Sequence, residues 1–145
     1  MEFSEFDFAC MHHALELAKM GAAKKEVPVG AVLVLENKII AEGWNCPIST
    51  TDPTAHAEII TLRNAAKNKE NYRLTGSTLY VTLEPCLMCA GAMIQARVAK
   101  VIYGASDVRW GARNQCGNHE TIYEGGLLAE ESAALLKDFF VEKRS

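Results

Sequence analysis

The chain has 145 residues, 49% of them apolar, and a formal net charge of −3. That is the size of one domain with enough apolar matter for a core, and the mildly acidic balance excludes a globally basic nucleic-acid-binding chain, leaving any such role to local charge. No apolar run reaches the roughly 18 residues of a membrane span, and Met1-Glu2-Phe3-Ser4-Glu5 has neither the basic start nor the apolar stretch of a secretion signal.

Ser4-Glu5-Phe6-Asp7 reads as a capping box with Ser4 as N-cap. Phe8, Met11, Leu15 and Ala18 then recur at helical spacing, giving a first helix that ends near Gly21. Pro28 precedes a strand, Val29 to Leu35; Glu36-Asn37-Lys38 is a turn and Ile39 to Trp44 its hairpin partner. Asn45 to Pro53 reads as loop, and a second helix runs from Thr54 to about Lys67. After a polar connection, Thr78 to Leu83 is a strand, Pro85 opens a third helix over Cys86 to Ala96, and Lys100 to Tyr103 is the next strand. Ser106 to Asn118 has no period and reads as loop, Thr121-Ile122-Tyr123 as a short strand. Leu128, Leu135 and Phe139 mark a last helix, acidic at its start and basic at its end as the dipole favours. A hairpin followed by strand–helix alternation implies a mixed sheet covered by helices.

Two short strings carry the chemistry: His56-Ala57-Glu58 and Pro85-Cys86-Leu87-Met88-Cys89. Cys86 and Cys89, three apart in the first turn of a helix, project to one side, where exposed amides and the dipole favour thiolate. With His56, also expected in a first helical turn, they supply three zinc ligands and leave the fourth position to water, as a catalytic site requires. His56 and Glu58 lie about 200° apart around a helix, so they cannot both be ligands on one flank. A site beyond the helix tip would be met by His56 directly and by Glu58 across a water. Zinc lowers the pKa of its water to roughly 7, so a zinc-bound hydroxide would attack an aromatic amine carbon while Glu58 carries the proton. The H-x-E…P-C-x-x-C pattern is the signature of zinc nucleobase deaminases.

A lone Cys-x-x-Cys is weak evidence and also serves redox or structural zinc sites; the upstream His-x-Glu argues for the catalytic reading. Five cysteines without a secretion signal point to reduced thiols and a cytoplasmic setting. Cys10 reads as helix core, Cys46 and Cys116 as loop thiols, and His119 as a loop candidate for substrate contact.

Beyond the zinc strings, Glu26 to Val32, Gly43-Trp44-Asn45, Asp52 to Ile59, Asn71 to Leu74, Leu79 to Met93 and Asp138-Phe139-Phe140 resemble the bacterial tRNA-specific adenosine deaminases (TadA type) of the cytidine deaminase-like superfamily. The resemblance implies a three-layer α/β/α sandwich with a mixed five-stranded sheet, one zinc-dependent deaminase domain over residues 1–145, and one Zn²⁺ per subunit. It implies a homodimer that converts the wobble adenosine of a tRNA anticodon loop to inosine, flipping the base into the pocket. By position, His56, Cys86 and Cys89 would hold zinc and Glu58 would shuttle protons. Asn45 would hydrogen-bond the base, Val29 and Leu83 would pack against it, and Asp107 would contact the adjacent sugar backbone.

The chain departs from this pattern after Gly111, where Ala112 to Gly117 replaces a longer stretch before Asn118-His119, and in Trp110. The contraction favours a rival substrate, a free nucleobase or nucleoside such as cytosine, guanine or cytidine. From Arg97 to Asn118, Arg97, Lys100, Arg109 and Arg113 face a single acid, Asp107, a patch suited to phosphates together with Lys24, Lys25, Lys143 and Arg144. A non-catalytic zinc-stabilised nucleic-acid-binding module is a third reading, opposed by Glu58, for which a closed structural site has no use.

Overall fold

The computed structural model describes residues 2–112 and 121–144. Its elements are α1 (Glu5–Ala23), β1 (Gly30–Leu35), β2 (Lys38–Trp44), α2 (Pro47–Thr50), α3 (Ala57–Lys69), β3 (Thr78–Leu83), α4 (Leu87–Ala96), β4 (Lys100–Ala105), β5 (Ile122–Gly125) and α5 (Ala129–Arg144). The strands form one five-stranded sheet in the order β2-β1-β3-β4-β5. β1 runs antiparallel to β2 and β3, while β4 runs parallel to β3 and β5. The mixed sheet matches expectation.

Side chains alternate across it, as the period of two demands. Ala31, Leu33, Leu79, Val81, Val101 and Tyr103 pack with Ile59, Leu62 and Ala65 of α3 and with Cys89 and Met93 of α4. Val32, Val34, Tyr80 and Ile102 pack against Cys10, Met11, Ala14 and Leu17 of α1 on the opposite face. α5 touches α1, β3 and β4. The result is helix, sheet and helix in three layers.

Local chemistry sets the boundaries. The Ser4 hydroxyl accepts the Asp7 amide at 3.0 Å and the Asp7 carboxylate accepts the Ser4 amide at 2.9 Å, the reciprocal box that starts α1. Gly30 begins β1 because a side chain there would strike the backbone of Ala14 and Ala18; its absence lets α1 lie close on the sheet.

Two expectations are corrected. The stretch Asn45 to Pro53 is not all loop: Pro47–Thr50 forms the short helix α2. The buried Glu26 carboxylate accepts the Ile48 amide at 3.2 Å and the Ser49 amide at 2.7 Å, a tertiary partner that no local pattern announces. The next helix starts at Ala57 rather than Thr54, because the Asp52 carboxylate captures both the amide and the hydroxyl of Thr54, at 2.9 and 2.7 Å, and holds that turn out of the helix. Arg113, Cys116, Asn118 and His119 lie outside the described residues.

Candidate active site

The site lies where four strand ends meet. Leu83 pairs with Ala105 in the β3–β4 register. The β1–β3 register, extended by two residues, sets Val29 opposite Leu83. The Asn45 amide donates to the Val29 carbonyl at 3.0 Å, carrying the hairpin ladder one step further. Asn45, Val29, Leu83 and the segment leading to Asp107 thus stand side by side along one edge of the sheet.

These residues line a cavity of about 410 Å³ together with His56, Glu58, Cys86, Val27, Glu84 and Trp110. Asn45, Val29, Leu83 and Asp107, four of the substrate-contact candidates from the sequence, are there, as are one thiol, the imidazole and the free carboxylate. Cys89 is fully buried behind them. Val27, Glu84 and Trp110 were not among the candidates.

His56 and Cys86 are both N-caps, of α3 and α4, with extended backbones, and not first-turn residues. An N-cap residue leaves the helix spiral, so the 200° separation of His56 from Glu58 does not apply. His56 turns outward at the helix tip, while Glu58 lies inside the first turn and is buried. Cys89 sits three residues into α4.

Nδ1 of His56 lies 3.6 Å from Sγ of Cys86 and 3.5 Å from Sγ of Cys89. Bond lengths of about 2.3 Å to thiolate and 2.0–2.1 Å to imidazole give a tetrahedral nitrogen–sulfur edge of about 3.6 Å. The three donor atoms, all within 4.8 Å of one another, therefore fit zinc. The cavity opens on His56 and Cys86, the side on which a fourth ligand would enter.

The electrostatics agree with that fit. The Cys89 thiol, the His56 imidazole and the Cys89 amide stabilise the Cys86 thiolate against burial and hold it down to about 4. The partner Cys89 is pushed up, first by pairing with Cys86 and then by burial. His56 is raised, chiefly by its hydrogen bond with Cys86. Burial pushes the Glu58 carboxyl up to about 7, the range suited to a group that both accepts and returns a proton near neutrality.

The described basic residues from Arg97 onward have different partners. Lys100 pairs with Glu124 at 3.0 Å, and Arg97 donates to the Ile94 and Gln95 carbonyls at the end of α4. Arg109 lies beside the cleft, its guanidinium 5.5 Å from the centre of the Trp110 ring. Lys25 and Lys143 share another cavity with Phe139.

Residues 4–105 match the model of the cytidine and deoxycytidylate deaminase zinc-binding region. A tRNA-specific adenosine deaminase of Haemophilus influenzae is 52% identical over 97% of this chain and 87% of its own length. The enzyme of the same name from Bacillus subtilis is 42% identical over 92% of this chain and 88% of its own. A solved structure from work on A-to-I editing by tRNA:A34 deaminases at the wobble position of transfer RNA superposes with a TM-score of 0.84, at 40% identity over 88% of this chain and 99% of that one.

Proposed function

We propose a substrate and a set of residue roles for this chain, which belongs to the cytidine and deoxycytidylate deaminase zinc-binding family. It is a zinc-dependent hydrolase that deaminates adenosine to inosine at the wobble position of tRNA. The observation that carries the residue roles is the shared cavity: a buried carboxylate, an imidazole–thiol cluster and four strand-end side chains face one volume.

That volume suits a single flipped nucleoside. Val29 and Leu83 bracket the base between apolar surfaces, and Asn45 offers its amide to the ring edge. Asp107 meets the sugar at the mouth. His56, Cys86 and Cys89 hold zinc, which when bound supplies the Lewis acidity that makes water nucleophilic near neutral pH. Glu58, whose carboxyl burial pushes up to about 7, accepts the proton of the attacking water and delivers it to a ring nitrogen. It then takes up the remaining proton from the newly attached hydroxyl and passes it to the departing amine, so that water and the amino-purine become the carbonyl base and ammonia.

The chain acts as one domain over residues 1–145, in the cytoplasm and as a homodimer. Four free cysteines among the described residues suit a reducing setting, and no described helix is long and apolar enough to cross a membrane. Exposed Ile48, Leu87 and Met88, and an apolar groove lined by Ile59, Leu62, Tyr72 and Ala96, supply surface for a second copy.

The test offers purified protein an anticodon stem-loop, adenosine, cytidine, cytosine and guanine and measures ammonia. Turnover of the stem-loop at the wobble adenosine is expected; turnover of a free base and not of the stem-loop would overturn the substrate.

A further inference from the structure

Trp110 lines the cleft yet is 64% exposed. An indole is large and apolar, and one left this open to water is uncommon away from binding surfaces. Its position is held from below. The Glu84 carboxylate, itself buried, accepts the Asp107 amide at 2.9 Å. The Asp107 carboxylate accepts the Arg109 amide at 3.1 Å and the Trp110 amide at 3.0 Å, and the Asp107 carbonyl accepts the Gly111 amide at 2.8 Å. Gly111 then bridges to Cys86, and the Ala112 amide donates to the Pro85 carbonyl at 3.0 Å. The backbone that carries the indole is therefore tied to the segment that carries two thiol ligands.

Val29 and Leu83 line the same cavity as Glu58, so a base that reaches Glu58 lies against them. Extruding one nucleotide leaves its neighbours at the mouth with an unstacked face. An anchored aromatic ring at that mouth offers such a face a partner, and base–aromatic stacking tolerates any base because every base has a π-face. Arg109, 5.5 Å from the ring centre, adds a cation within reach of an adjoining phosphate.

We propose that Trp110 and Arg109 form a second nucleotide subsite, in which the indole stacks on a base flanking the reacting adenosine. The inference rests on the tRNA reading above. It makes Trp110 a determinant of binding to single-stranded nucleic acid, outside the chemical step.

The chain has two tryptophans, so a Trp44→Phe, Glu58→Ala protein reports Trp110 alone and does not turn over. Titrating it with an anticodon stem-loop should quench the remaining fluorescence, and a stem-loop lacking the stacked flanking base should not. In the otherwise native enzyme, Trp110→Ala should lower kcat/KM on the stem-loop about ten- to hundredfold through KM, and Trp110→Phe should recover most of it. Zinc content and melting temperature should stay unchanged. On the stem-loop without the flanking base, Trp110→Ala should cost nothing further. Undiminished kcat/KM in Trp110→Ala, or an equal loss with and without the flanking base, would overturn the subsite. Failure of the native enzyme to deaminate any stem-loop would instead overturn the tRNA reading itself.

Discussion

Glu84 holds Asp107 through a hydrogen bond of 2.9 Å that its carboxylate accepts from the Asp107 amide, joining the end of β3 to the loop after β4. At 5% exposure the carboxylate is sheltered from water, so the amide has no easy substitute. Removing the acceptor leaves a part-buried donor without its protein partner, at a cost of up to about 1–3 kcal/mol. Glu84→Ala should therefore lower the melting temperature and raise KM for the stem-loop, while Glu84→Gln, which keeps an acceptor oxygen, should recover most of both. A Glu84→Ala protein with native melting and native KM would show that the bond positions nothing.

Glu58 is buried, lines the cavity and is not among the clustered zinc donors. General acid–base catalysis contributes about 10²–10⁴-fold. Glu58→Ala should retain one zinc per subunit and lose turnover by at least that factor. Elemental analysis beside an ammonia assay separates this from metal loss; a protein that keeps its rate would exclude Glu58 as the proton carrier.

The three donors behave differently. His56→Ala or Cys86→Ser should lose both metal and activity, because two remaining donors cannot complete the tetrahedral set that His56, Cys86 and Cys89 form. Chelation of the native protein should abolish turnover, and added Zn²⁺ should restore it. Full zinc occupancy in Cys86→Ser would contradict the ligand assignment.

A fourth prediction concerns acid stability. Burial raises the Asp7 carboxyl, but hydrogen bonds from the Tyr80 hydroxyl (2.6 Å) and from Ser4, with help from Lys100, outweigh it, and the net position lies below the ordinary 3.8. A carboxylate with a depressed folded-state pKa contributes stability that is present above the unfolded value and lost as pH falls through the folded one. Tyr80→Phe should cost about 1–2 kcal/mol at neutral pH, and the gap to the native protein should close below about pH 3.8. Parallel unfolding curves at every pH would refute the coupling.

Much of the fold was legible because it is local. The Ser4–Asp7 box, the hairpin turn at Glu36-Asn37 and the alternating strands carry their signals within a few residues. α2 was not legible, since four residues hold no period and its amides are satisfied by Glu26, some twenty positions upstream. The start of α3 was misplaced because Asp52 competes for the backbone of Thr54. At the site, the zinc donors and Glu58 could be read from residue type and spacing. Asn45, Val29, Leu83 and Asp107 came only through resemblance, because an Asn after a strand or a Val before one has no chemistry of its own. Glu84 escaped notice although an acid wedged between strand β3 and Pro85 was a usable clue: a charge there must be either solvated or partnered. Trp110 was noticed as a departure, but its place at the cleft mouth depends on tertiary ties that spacing does not encode.

The reversal of direction at β3, antiparallel to β1 on one side and parallel to β4 on the other, divides labour among the strand ends. The clustered His56, Cys86 and Cys89 and the buried Glu58 stand on helix beginnings packed into the apolar layer; one wall of the cleft hangs on the loop after β4. Its ties to Glu84, Pro85 and Cys86 hold that wall in register with the thiol-bearing segment.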